Sequence, residues 1–120
     1  MKLKIKSIAD KADHKQERLV ISVLSDTNVG EFAVLRTGYS GGQVTTDVWD
    51  TFWFPDKQVS AGDLVVIYSK TGTTSEKLLK TGKKAHFYYW GKPQTIWSSS
   101  GKSVVLLHAP VWEASGAEDL

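Results

Sequence analysis

The sequence has no cysteine, one methionine, three prolines and no long apolar run in its 120 residues. Without cysteine there is no disulfide framework, no thiolate metal site and no cysteine nucleophile. An excess of charge of one sign is also missing. Fifteen Lys and Arg against thirteen Asp and Glu leave a formal net charge of +2, too small to single out nucleic acid or an anionic membrane as the partner. No stretch approaches the roughly 18 consecutive apolar residues of a membrane helix. The opening MKLKIKSIADKADHKQE breaks up its apolar residues with lysines, unlike a secretory signal. The expectation is a soluble, cytoplasmic protein with no membrane contact. What is present is a globular composition, 41% hydrophobic and 23% charged, in a length that suits a single domain over residues 1–120.

The apolar runs are short, rich in Val, Ile, Phe, Tyr and Trp, and divided by Gly, Ser, Asp and Asn. That is the pattern of an all-β sandwich or barrel. Lys2–Lys6 alternates as KLKIK, a half-solvated strand whose lysines would guard a sheet edge. Arg18–Leu24, Glu31–Arg36 and Val48–Phe54 read as strands, the last stopped by Pro55, with Tyr39–Gly42 as a loop. Ser60–Asp63 turns into Leu64–Ser69, the most apolar run and the expected central strand. Thr71–Lys84 is expected to be a loop with one helical turn opened by Ser75. Ala85–Trp90, Thr95–Trp97 and Ser103–His108 read as strands, Val111–Trp112 is the last candidate, and 113–120 should be a frayed tail.

Gly101-Lys102-Ser103 ends like a phosphate-binding P-loop, which needs a further glycine five residues before Gly101 and a helix after it. Position 96 is isoleucine and a strand-like SVVLLH follows, so a hairpin turn with Gly101 at positive φ is expected instead. His14, His86 and His108 lack metal-ligand spacing; His86 and His108 could meet across a sheet, but surface or sheet-edge histidine is the plainer reading. No Gly-x-Ser-x-Gly elbow exists. Asp47 and Asp50, the one tight acidic pair beside aromatics, read as solvated turn residues. No catalytic residue, metal or cofactor is therefore expected.

The aromatics carry more. HFYYW at 86–90 sends Phe87 and Tyr89 to one face of a strand and Tyr88 and Trp90 to the other. One pair should be core, the other packed under a loop or exposed as a platform. Lys77, Lys80, Lys83, Lys84 and Lys92 flank this run, and aromatics beside lysines suit a single-stranded nucleic acid. The candidate binding surface is Tyr88, Trp90, Lys83, Lys84 and Lys92. The plain alternative is that both faces are packed and the lysines only keep a loop soluble.

Residues 18–112 resemble the lamin tail domain. The likeness rests on GEFAVL at Gly30–Leu35, WDTFWFP at Trp49–Pro55, SAGDLVVIYS at Ser60–Ser69 and FYYWGKPQTIWSSSGKSVVLL at Phe87–Leu107, in that order. The resemblance implies an immunoglobulin-like β-sandwich acting as a non-catalytic module that attaches its host to other molecules. The expected function is thus binding through an aromatic-basic surface. A protein partner comes first and nucleic acid is next; the alternatives are carbohydrate binding and a self-associating structural subunit.

Overall fold

The computed structural model describes all 120 residues, with ten strands and no α-helix. Strands β1 (Leu3–Ala9), β2 (Arg18–Val23), β7 (Leu64–Tyr68), β9 (Lys84–Tyr89) and β8 (Ser75–Leu78) form one sheet in that spatial order. A second sheet has the order β10 (Lys102–His108), β4 (Phe32–Ser40), β5 (Gln43–Trp53). The two-residue strands β3 (Thr27–Asn28) and β6 (Gln58–Val59) make a small ladder of their own. All pairings are antiparallel except β7 with β9, which run parallel because the chain leaves β7, forms β8 and returns.

Period-two burial builds the interior. In β2, Leu19, Ile21 and Val23 are buried while their neighbours are half-buried. They join Leu3, Val65, Ile67 and Tyr88 from the first sheet, Phe32 and Val34 from the second, Val59 from the small ladder, and Val29 and Phe54 from the connections. At about 1.5–3 kcal/mol for each fully buried large apolar side chain, this layer is the main force holding the sheets together. The molecule is an all-β sandwich. No helix in it is long and apolar enough to cross a membrane.

Five local expectations change. Ser75–Leu78 is an exposed edge strand paired with β9 rather than a helical turn; one isolated turn cannot offset its nucleation cost, whereas a free strand edge was available. Thr95–Trp97 is a bent segment, not a strand, and Val111–Trp112 is not a strand either. The turn at Gly101 (φ +76) exists, but the strand after it pairs with β4. No helix follows Lys102, so the surroundings of a P-loop are absent. Finally, Tyr39 and Ser40 belong to β4, and Gly41–Gly42, with φ of +60 and +78, closes a two-residue hairpin into a β5 that starts at Gln43.

Candidate functional site

The surface read from the sequence does not assemble. Tyr88 is only 1% exposed, with ring centroids 5.2 Å from Phe54 and 6.1 Å from Phe52. Trp90 is half-buried, 5.7 Å from Phe52 and 6.0 Å from Trp97. The alternation along β9 is as expected, but the pair assigned to the surface is the inward one. Phe87 and Tyr89 face outward instead, half-buried beside Tyr68, which stacks on Tyr89 at 5.3 Å and lies under Arg18 and Lys70. Lys92 is not a free cation. It pairs with Asp50, which Arg36 also holds at 2.8 Å. Asp50 is accordingly no solvated turn residue: it lies within β5, and although burial alone would raise its carboxyl, Lys92 and Arg36 hold it below the ordinary value.

Lys83 and Lys84 line a polar cleft of about 340 Å³ together with Lys57, Ser60, Asp63, Glu76 and His86. At its floor His86, 2% exposed, meets Asp63, with Nε2 2.8 Å from Oδ2. Asp63 also accepts the backbone N–H of Ser60 and of Lys84, both at 3.0 Å. It thus pins the turn before β7 to the start of β9. Sequence reasoning missed this pair and placed His86 at a surface or edge. His86 and His108 do not meet: His108 belongs to the other sheet, stacked on Phe32 at 4.3 Å with Nε2 3.0 Å from Glu31. At the rim, the ammonium of Lys57 above all, with Lys84, holds Glu76 below its usual range.

Burial would raise the Asp63 carboxyl, but the bonds from His86, Lys84 and Ser60 outweigh it and hold the group below its ordinary 3.8. A folded value below the unfolded one adds stability above the unfolded value, and this is lost as pH falls through the folded one. Stability should therefore drop on acidification below about pH 4. In Asp63→Asn the acid limb of urea-unfolding free energy against pH should be shallower, from a lower plateau.

The second sheet carries an apolar cleft of about 230 Å³ on its outward face. Phe32, Ala33, Leu35, Trp53, Leu107 and Trp112 line most of it. The register makes it continuous: Ala33 sits opposite both Trp53 and Leu107, and Leu35 opposite Thr51. Trp53 and Trp112 are 52% and 61% exposed, and their rings meet edge to face at 4.9 Å. The Trp53 indole N–H donates to the Gly30 carbonyl at 2.9 Å, which fixes its orientation. The Ala109 N–H donates to the Glu31 carbonyl, anchoring the segment that brings Trp112 over the sheet. Which of the five tryptophans would be exposed depends on pairing partners that alternation alone does not name. No protein-family model matches this chain, and no curated protein matches it significantly.

Proposed function

We propose that the protein is a non-catalytic interaction module that binds a protein partner through the tryptophan-faced cleft of its second sheet. One observation carries the reading: two tryptophans, Trp53 with its indole fixed by a hydrogen bond and Trp112 beside it, stand half-exposed over an apolar cleft on an open sheet face. Exposed contiguous apolar surface of this kind marks interaction sites, and tryptophan is among the residues that dominate binding energy. The adjacent β10 is paired on one side only. An extended apolar segment of the partner can add to that edge, with its side chains on the Leu107 face reaching toward the cleft. The resemblance to the immunoglobulin-like lamin tail domain supports the same reading, and a cysteine-free chain suits a partner met in the reducing cytoplasm.

Carbohydrate binding is less well supported, because the two indoles stand at 88° and form no flat platform for a sugar ring. Single-stranded nucleic acid keeps one supporting observation, the outward Tyr68, Phe87 and Tyr89 with Arg18 and Lys70 over Tyr68. Such binding would weaken steeply with added salt, whereas binding at the tryptophan cleft should change little.

Selection from a displayed peptide library should enrich extended apolar sequences. Trp112→Ala should lower affinity for a selected peptide by roughly tenfold or more, while the unfolding free energy stays within about 0.5 kcal/mol. Unchanged affinity for every selected peptide would refute this site.

A further inference from the structure

We infer that the polar cleft on the first sheet binds a small phosphate-type oxyanion, and that the Glu76 carboxylate fills the anion's place in the free protein. The starting point is His86. Its Nε2 faces Asp63, a carboxylate that can only accept and already takes two backbone N–H groups, so Nε2 carries the proton. Nδ1, on an almost wholly buried ring, lines the cleft with no hydrogen-bond partner. A buried polar atom left without a partner is costly, and such atoms mark sites where a ligand or solvent completes the set.

The surrounding charges say what completes it. The Glu76 Oε2 lies 3.6 Å from Nδ1, 3.4 Å from the Lys57 ammonium and 3.7 Å from that of Lys84. Two cations and an imidazole nitrogen thus converge on one point, which an anionic oxygen already occupies loosely. Lys83 adds a third cation to the wall, its methylene stem lying 3.0 Å from where a Cβ on Gly62 would stand. Donors on several walls suit an oxyanion with three or four acceptor oxygens better than a two-oxygen carboxylate. Glu76 can give way, since β8 is four exposed residues at the sheet edge. A divalent cation fits poorly: it would have to displace two ammonium groups, and no three histidine or acidic side chains surround one point.

With the proton on Nε2, Nδ1 accepts, so a phosphate oxygen that keeps its hydrogen can donate to it while the other oxygens meet the lysines. Asp63, Glu76, Lys57, Lys83 and Lys84 are the charged groups facing the ring.

The test is an NMR titration of the full chain with inorganic phosphate, following the His86 ring and the Lys83 and Lys84 amides. Sodium chloride and acetate at matched ionic strength are the controls, and glycerol phosphate tells free phosphate from an organic phosphate ester. Saturable shifts with phosphate or its ester, absent with the controls, are expected. Glu76→Gln is the decisive variant because it lies at an exposed edge and leaves the Asp63–His86 pair intact. It should tighten phosphate binding by roughly fivefold, while Lys84→Ala should weaken it by a similar factor. Equal responses to chloride and phosphate would overturn the inference. So would weaker phosphate binding in Glu76→Gln, or His86 shifts produced by zinc ion alone and lost in that variant.

Discussion

Replacing Glu17 with alanine should remove about 3–5 kcal/mol of folding stability, a large part of what a domain of this size possesses. Glu17 is 0% exposed. One carboxylate oxygen accepts the Ser69 hydroxyl and the Ile96 N–H (2.8 Å), and the other accepts the Trp97 N–H at 3.2 Å. No lysine or arginine pairs with it. The carboxylate is held by three donors, and it in turn holds the bent segment that carries the buried side chains of Ile96 and Trp97. Alanine would leave those donors buried without acceptors, at about 1–3 kcal/mol each before relaxation. Glutamine keeps one accepting oxygen but turns an amide NH₂ toward another donor, so about half of the loss should remain. Urea unfolding measures the loss, and amide exchange at Ile96 and Trp97 locates it. Unchanged protection of those two amides in Glu17→Ala would show that another group holds the segment.

Glu17 also shows where sequence reading stops. Strands such as Arg18–Val23 and Leu64–Tyr68 announce themselves because alternating or continuous apolar residues have no other economical arrangement. The segment at 95–97 has the same local look, yet its backbone bonds go to a side chain nearly eighty residues away. Local pattern cannot reveal a long-range acceptor. The same holds for β8, whose strand state is set by the free edge of β9 rather than by SEKL itself.

The candidate sites were legible in proportion to how local they are. Alternation placed Phe87 and Tyr89 opposite Tyr88 and Trp90 correctly, but which pair faces the other sheet depends on the packing of β7 and β9 together. A further clue was present: His86 and Tyr88 share a face of β9, so the burial of one implies the burial of the other. A buried histidine then requires a partner, and Asp63 at the preceding strand's entry is brought opposite it only by the parallel β7–β9 register. The apolar cleft needed the pairing of β4 with both β5 and β10 to gather Ala33, Trp53 and Leu107 at one place.

Tyr88 yields a pair of variants with opposite signs. Tyr88→Ala should cost about 3–5 kcal/mol, because it removes a fully buried aromatic ring from the contact between the sheets and leaves a cavity among Phe52 and Phe54. Tyr88→Phe should be neutral or stabilise by up to about 1 kcal/mol, because the hydroxyl is buried with no hydrogen-bond partner. Burial, with the nearby Glu76 charge, also pushes this phenol above its ordinary 10.0. The phenolate is therefore disfavoured, and its absorbance should appear only above the ordinary tyrosine range. Because the alanine variant unfolds readily, any loss of binding it shows reports on folding, whereas the phenylalanine variant keeps the ring and should bind like the parent. A phenylalanine variant that unfolds at clearly lower urea would mean the hydroxyl is bonded after all. One that folds well but loses ligand would return Tyr88 to the binding surface.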